Sequence, residues 1–278
     1  MKKMLAAMLV FCTFMTAALW SVGTQLTAPA NHPVGQAPIT LDAESVTFNG
    51  VHGWFTSVDH PSMCVLLLHG VRSNRQYMVP RAVFLKKSGF ASLMIDLQAH
   101  GESPGKNITF GYRESNNAEA AVSYLRNTRG CKKIAAIGIS LGGAASLLGT
   151  GPIKVEALIL ESVYPTIEDA VTDRLAIRIG RLAPLVAPLL TNQIPYRLNV
   201  PLAGLRPIDA IKNNHAPVLV IGGGVDRHTK PEETQQLYSH ALNPKELWII
   251  PGAAHEDFYK YAGALYEQRI IAFLKKYL

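Results

Sequence analysis

The sequence predicts an α/β fold in which a mostly parallel sheet is covered by helices on both faces. From Thr40 onward, short runs rich in β-branched residues alternate with segments whose apolar residues recur every three or four positions. The later short runs are almost continuously apolar, as expected for strands buried on both faces. Alternation of this kind is typical of parallel strands joined by crossover helices.

Short apolar segments are predicted to be strands, and longer amphipathic segments are predicted to be helices. The strands are expected at residues 45–48, 53–58, 64–68, 91–96, 133–139, 157–160, 218–221 and 246–250. The helices are expected at residues 75–87, 114–126, 141–148, 231–241 and 259–277. The sheet is therefore expected to have eight strands.

One long segment interrupts this alternation. Residues 166–216 separate two predicted strands by far more than an ordinary connection, and they are rich in leucine, isoleucine and proline. We expect a mostly helical cap inserted at about residues 166–213. Its apolar face either packs against the body of the domain or lines a cleft for an acyl chain.

The first 30 residues have the pattern of a signal peptide or an N-terminal membrane anchor. Lys2 and Lys3 precede an uncharged apolar run of 19 residues, close to the roughly 20 that span a bilayer. A small-residue cleavage site ends at Ala30, so both alternatives stay open. Residues 31–40 are expected to be a linker and residues 41–278 the globular domain. Because lysines stay inside, we expect the domain to be exported, periplasmic or anchored outside the cytoplasm.

Composition excludes several classes of protein. The chain is 48% hydrophobic and 17% charged, which excludes a disordered chain, and its single long apolar run excludes a multi-span membrane protein. The net charge of +7 comes from basic residues scattered along the sequence, whereas nucleic-acid binding needs them clustered. These charges belong to a solvated surface or attract anionic lipid weakly.

The clearest chemical motif is the pattern Gly-x-Ser-x-Gly at residues 138–142, with Ser140 at its centre. It follows an apolar run that is predicted to be a strand and precedes a small-residue segment that is predicted to be a helix. A strand that turns sharply into a helix strains the serine and leaves no room for neighbouring side chains. Ser140 is therefore the candidate nucleophile.

A nucleophilic serine needs a base, and four histidines follow it in the chain: His215, His228, His240 and His255. His255 comes directly after the last predicted strand, where a loop at the carboxyl edge of the sheet can reach the nucleophile. His240 falls in a predicted helix and His215 lies at the opposite edge. His255 is therefore the candidate base, with His228 as a neighbour.

The base needs an acid that fixes its tautomer. Asp226 follows the predicted strand 218–221 through three glycines and a valine, again at the carboxyl edge. Glu161 follows strand 157–160 at the same edge and is the rival. The order serine, acid, histidine favours Asp226.

An oxyanion in the reaction must be met by backbone N–H donors. One is expected from Leu141, directly after the nucleophile, and the other from Val71, where Gly70 lets the chain approach closely. His69 precedes this loop, and we expect it to hold the loop by hydrogen bonding rather than to act as a base.

Together these motifs resemble bacterial α/β-hydrolases of the serine aminopeptidase and Bem46-like group. The resemblance spans residue 45 to the carboxyl terminus and rests on the segments 68–70, 96–103, 138–143, 161–165, 223–226 and 251–255. It implies the α/β-hydrolase fold with a helical cap, a triad of Ser140, Asp226 and His255, and oxyanion donors at Val71 and Leu141. At Gln98 and Ala99 the family usually has Arg-Gly, which puts substrate contacts in doubt.

Members of this group are commonly carboxylesterases, thioesterases, acylglycerol lipases or peptidases. We therefore expect a serine hydrolase that cleaves a small-molecule or lipid-like acyl ester through an acyl-enzyme. A peptidase or thioesterase is the alternative, and a non-catalytic envelope protein is a further one. No zinc-ligand spacing and no phosphate-binding loop is present in the sequence, so no metal or organic cofactor is expected.

Two cysteines lie outside the leader, Cys64 and Cys131. In the fold that the resemblance implies, the strands that begin near them are adjacent and parallel. Both cysteines would then lie at the edge of the sheet opposite the active site. A disulfide between them and two buried thiols are the alternatives.

Overall fold

A computed structural model describes residues 2–59 and 62–278, and it confirms the predicted fold class. The strands, in chain order, are β1 (Ala30–Asn31), β2 (Ala43–Phe48), β3 (Val51–Thr56), β4 (Met63–Leu68), β5 (Ala91–Ile95), β6 (His100–Gly101), β7 (Lys133–Ile139), β8 (Ala157–Glu161), β9 (Val218–Gly223) and β10 (Lys245–Ile250). Eight of them form one sheet in the order β10-β9-β8-β7-β4-β5-β3-β2. All eight predicted strands are present, with ends shifted by up to two residues.

The α-helices, in chain order, are α1 (Lys2–Thr27), α2 (Val79–Lys87), α3 (Glu114–Asn127), α4 (Leu141–Leu147), α5 (Ile167–Ile179), α6 (Ala183–Thr191), α7 (Ile194–Leu198), α8 (Pro207–Ala210), α9 (Pro231–His240), α10 (Phe258–Ala262) and α11 (Ala264–Tyr277). The single helix expected at 259–277 is two helices. They are separated at Gly263, whose φ of +50° interrupts the helical backbone.

The direction of the strands brings the functional loops together. The neighbouring pairs from β10 through β9, β8, β7 and β4 to β5 are all parallel, whereas β3 runs antiparallel to both of its neighbours, β5 and β2. The carboxyl ends of β4, β7, β8, β9 and β10 therefore meet at one edge of the sheet. Loops at this edge are the usual place for a ligand in an open α/β sheet.

Two apolar cores hold the layers together, one on each face of the sheet. Helices α3, α4 and α9 bury residues such as Leu125, Ala145 and Leu237 against one face. Helices α2 and α11 bury residues such as Leu85 and Phe273 against the other. The sheet is thus covered on both sides, which explains the continuous apolar runs of its central strands.

The segment between β8 and β9 forms the helices α5 to α8. Part of its apolar surface packs on the body of the domain, where Ile194, Leu198 and Leu205 are buried. Another part is open to solvent, since Leu185 and Leu189 are 73% and 52% exposed. The segment is therefore only partly held by core packing.

The N-terminal region packs against the body before the main sheet begins. Ala30 and Asn31 pair in parallel with His100 and Gly101, in the stretch that was expected to be a linker. Val34 is also buried there. Helix α1 before it is long and apolar enough to cross a membrane, by length and composition.

A disulfide joins Cys64 of β4 to Cys131, two residues before β7. The two Cα atoms are 5.9 Å apart, and both side chains are buried. Met63 is paired with Lys133 at this end of the two parallel strands. The bond therefore fastens the edge of the sheet opposite the carboxyl ends.

Removing this bond by Cys64→Ala with Cys131→Ala is expected to lower the free energy of unfolding by up to about 4 kcal/mol, because the bond closes a long loop in the unfolded chain. Urea unfolding measures the change. Dithiothreitol should destabilise the parent and leave the double variant unaffected. Equal sensitivity of the two proteins to the reductant would contradict the assignment.

Candidate active site

The turn between β7 and α4 places Ser140 in a strained conformation. Its φ is +49°, and its N–H donates to the carbonyl oxygen of Glu161 at 2.8 Å. A Cβ at Gly138 would lie 2.6 Å from Gly143, and a Cβ at Gly142 would lie 2.4 Å from the carbonyl oxygen of Leu68. Helix α4 can start this close to the sheet only because these positions are glycines.

Asp226 and His255 form a hydrogen-bonded pair at the ends of β9 and β10. The Oδ2 atom of Asp226 lies 2.7 Å from Nδ1 of His255, and its Oδ1 atom accepts the N–H groups of His228 and Thr229 at 2.7 and 3.0 Å. Burial opposes ionisation of Asp226, but the hydrogen bond and charge of His255 outweigh it and hold its pKa below the ordinary value. This carboxyl group can therefore orient the imidazole as a carboxylate.

A cleft of about 350 Å³ opens between these elements, and Ser140 and His255 both line it. Gly70 and Val71 line it from the loop after β4. Tyr77, Ile139, Ser162, Arg174, His228, Glu256 and Phe258 are also among the lining residues. The fold thus brings the predicted nucleophile, the predicted base and the expected oxyanion loop to one cavity.

Hydrogen bonds of His69 hold the loop after β4. Its Nδ1 atom lies 2.7 Å from the carbonyl oxygen of Gly70, and its Nε2 atom accepts the N–H of Leu97 at 3.1 Å. Burial lowers the pKa of His69 to about 4, so the ring is neutral at physiological pH. Val71, in this loop, lines the cleft, and Leu141 supplies the first backbone N–H of α4.

Among the rival residues, Glu161 borders the cleft but is bound by other partners, and the two rival histidines lie outside it. Glu161 is buried, and its carboxylate binds Arg81 at 2.8 Å and the hydroxyl of Tyr266 rather than His255. His215 and His240 are exposed at the surface and do not line the cleft.

Arg81, a buried arginine, links the loop that carries His255 to β8. Its role was not predicted from the sequence. Arg81 is fully buried in α2 and binds Glu161 at 2.8 Å and Asp257 at 2.9 Å, two residues after His255. Burial opposes its charge, but these carboxylates outweigh it and hold its pKa well above the ordinary value. The sequence does contain a signal for this role, because Arg81 lies three residues after Met78 on the apolar face of a predicted helix.

Gln98 and Ala99, where the sequence departs from the usual pattern of the group it resembles, are held by backbone contacts. Gln98 donates a side-chain hydrogen bond to the carbonyl oxygen of Asn107 at 3.2 Å. Ala99 has a φ of +60° and accepts the N–H of Ala30 at 2.7 Å. Neither residue is among those that line the cleft.

Three residues could hold a metal ion: Asp226, His228 and His255 each offer one ligand atom within 4.8 Å of the others. The rings of the two histidines are 5.1 Å apart. His255 and Asp226 are also the two members of the hydrogen-bonded pair, so an ion bound there would occupy the same side chains.

A cluster of charged residues joins the cap segment to α9. Asp173 of α5 is buried and binds the ammonium group of Lys230. The backbone N–H of Lys230 donates to Glu233 at 3.0 Å. Burial and the neighbouring carboxylate of Asp173 raise the pKa of Glu233 to about 8.

A serine at a sharp strand-to-helix turn, in a mostly parallel sheet with an aspartate–histidine pair at the same edge, defines an α/β hydrolase. The model of the alpha/beta hydrolase family matches residues 65–268. The chain belongs to the alpha/beta hydrolase family.

Proteins of similar sequence cover most of the chain. YfhR of Salmonella typhi is 25% identical in an alignment of 273 positions that covers 89% of this chain and 86% of YfhR. The alpha/beta hydrolase domain-containing protein WAV2 of Arabidopsis thaliana is 27% identical in an alignment of 268 positions that covers 89% of this chain and 83% of WAV2. Among solved structures, the esterase Pf2001 of Pyrococcus furiosus has a TM-score of 0.72 and 24% identity, covering 90% of this chain and 99% of that chain.

The raised pKa of Glu233 predicts a loss of stability at alkaline pH. The folded protein favours the protonated carboxyl group, so this contribution is complete below about pH 4.5 and disappears as the pH rises through about 8. Glu233→Gln keeps an acceptor for the N–H of Lys230 but cannot ionise. Its melting temperature, relative to the parent, should rise by several degrees between pH 5 and pH 9.

The matched control is Glu232→Gln, since Glu232 is exposed one residue earlier. Its melting temperature should follow that of the parent at every pH. A constant difference between Glu233→Gln and the parent across this range would show that Glu233 is ionised in the folded protein at pH 5.

Proposed function

We propose that this protein is a serine hydrolase that cleaves acyl esters through an acyl-enzyme, with Ser140, Asp226 and His255 as its catalytic triad. The proposal rests on one arrangement of side chains. Ser140, at a strained strand-to-helix turn, lines the same cleft as His255, and Nδ1 of His255 is hydrogen-bonded to buried Asp226. This arrangement of nucleophile, base and acid defines the chemistry independently of the overall fold.

The geometry accounts for each step. Nδ1–H of His255 donates a hydrogen bond to Asp226, which leaves Nε2 free to take the proton of Ser140 as its Oγ attacks the acyl carbonyl. The N–H groups of Val71 and Leu141 stabilise the oxyanion. His255 then protonates the leaving alcohol and activates the water that releases the acid.

Ester substrates are favoured by the lining of the cleft. Val71, Tyr77, Ile139 and Phe258 give it an apolar and aromatic surface suited to an acyl chain. The structurally similar protein of Pyrococcus furiosus is an esterase, which supports the same choice. By its motifs we also place the chain in the Bem46-like group.

Ser140→Ala is expected to lower kcat/KM for p-nitrophenyl esters by at least about 1,000-fold, because removing the nucleophile leaves only the oxyanion hole and binding. The variant should also fail to react with a fluorophosphonate probe. Ser162 lines the same cleft and gives the matched control, since Ser162→Ala should still be labelled. Labelling of Ser140→Ala at parental level would sink the proposal.

We further propose that helix α1 is retained as a membrane anchor, with the globular domain outside the cytoplasm. The last turns of α1 are built into the domain. Arg72, in the oxyanion loop, donates to the carbonyl oxygen of Gln25, and the guanidinium of Arg197 lies 3.7 Å over the ring of Trp20. A Cβ at Gly23 would lie 2.7 Å from the side chain of Gln193.

The first turns of α1 differ, since Met4, Leu5 and Leu9 are between 67% and 77% exposed. An apolar helix with one end free and the other packed on the domain fits a bilayer anchor better than a leader that is removed. Cleavage after Ala30 would also remove the partners of Arg72 and Arg197.

The anchor proposal predicts that the membrane fraction of expressing cells contains the uncleaved chain. After a carbonate wash, intact mass spectrometry should find a chain that begins at Met1 or Lys2, because α1 holds it in the bilayer. Replacing Leu5 and Leu9 by aspartate should release the protein and leave its activity on soluble esters intact. A soluble chain that begins after Ala30 would refute retention.

A further inference from the structure

The cap segment contributes one cation to the catalytic cleft. Arg174 of α5 lines the same cavity as Ser140 and His255. Its Nη1 atom donates to the carbonyl oxygens of Ala170 at 2.9 Å and His228 at 3.4 Å. The second bond ties the guanidinium to the loop that carries Asp226.

Within residues 2–59 and 62–278, Arg174 has no carboxylate partner at salt-bridge distance. The two buried arginines are different, since Arg75 binds Asp96 and Glu102, and Arg81 binds Glu161 and Asp257. Nε and Nη2 of Arg174 have no hydrogen-bond partner in the same described ranges. An arginine has five N–H donors, so most of its binding capacity is unused.

Each carboxylate near Arg174 binds another group through at least one of its oxygens. Asp226 holds His255 and two backbone N–H groups, and Asp173 holds Lys230. Glu233 accepts the N–H of Lys230. These neighbours do not neutralise Arg174, whose pKa is lowered from its ordinary value by burial.

Two other charged groups line the cleft, and neither faces Arg174 as a partner. Glu161 is bound to Arg81, and Glu256 accepts the N–H of Ala254 at 2.9 Å. A partly buried cation without a counter-ion costs free energy unless a ligand supplies the negative charge. Its planar guanidinium suits a carboxylate or a phosphate, which it binds with two parallel hydrogen bonds.

We propose that the substrate carries an anionic group, a carboxylate or a phosphate, and that Arg174 binds it while Ser140 attacks the acyl carbonyl. The inference rests on the proposed ester hydrolysis and names its substrate class. Arg174 is then a specificity-determining residue on the cap, separate from the triad that performs the reaction.

The experiment compares two matched pairs of substrates. The first pair is the 4-methylumbelliferyl ester of butyric acid and that of succinic acid, which has a free carboxylate on the acyl side. The second pair is 1-butyrylglycerol and 1-butyrylglycerol 3-phosphate, which has a phosphate on the alcohol side. The full-length protein and the variants Arg174→Met, Arg174→Lys and Arg178→Met are assayed on all four.

We expect the parent to prefer the anionic member of at least one pair. Arg174→Met should lower kcat/KM for that member by about 10- to 100-fold, the range of a lost charged hydrogen bond. Its kcat/KM for the neutral member should stay within about twofold, and Arg174→Lys should restore part of the loss. Arg178→Met removes an exposed arginine one turn further along α5 and should leave all four values unchanged.

The pair that responds identifies the anion as a carboxylate of the acyl group or a phosphate of the alcohol. A purely structural role for Arg174 would lower activity on neutral and anionic esters equally, which would overturn the inference. So would a parent that shows no preference within either pair. Hydrolysis of the neutral esters that disappears in Ser140→Ala would then leave the proposed function standing, whereas no hydrolysis of any ester by the parent would reject both.

Discussion

The close approach of α4 to the sheet at Ser140 is the constraint on which the rest of the site depends. The turn is so tight that Gly138 and Gly142 have no room for a Cβ, and Ser140 must adopt a positive φ. That strain is borne by the central parallel strands, since β7 lies between β4 and β8. The loop after β4 and the aspartate–histidine pair then lie at the same edge because their strands run in the same direction.

Buried charge is managed differently in the scaffold and in the cleft. In the scaffold, Arg81 is matched by Glu161 and Asp257, so it fastens three elements without an exposed charge. Asp226 is stabilised as a carboxylate by backbone N–H groups and by His255. In the cleft, the hydrogen-bond partners of Arg174 among the residues that the structure describes are two backbone carbonyl groups. The scaffold thus contains arginines paired with carboxylates, whereas Arg174 lines the cleft without a carboxylate partner among the described residues.

The sheet could be predicted because strands that are buried on both faces appear in the sequence as apolar runs bounded by turns. The strand-to-helix turn at Ser140 could also be predicted, since it requires glycines on both sides of the serine. Contacts between distant segments could not be predicted. The pairing of Ala30 with His100 and the place of Arg174 in the cleft depend on how separate elements pack, which local periodicity does not encode. The break at Gly263 was missed because a single glycine only weakens a helical pattern.

The cap lies between β8 and β9, two strands that are neighbours in the sheet and run parallel. The chain enters and leaves this segment at points joined by backbone hydrogen bonds, since the N–H of Ile167 donates to Leu205 and that of Ile208 donates to Pro165. The length and sequence between these points can therefore change without shifting the register of any strand. Ser140, Asp226 and His255 all lie outside this segment, whereas Arg174 lies within it. Under the proposed function, the loops at the edge of the sheet carry the chemistry, and the inserted cap carries the substrate preference through Arg174.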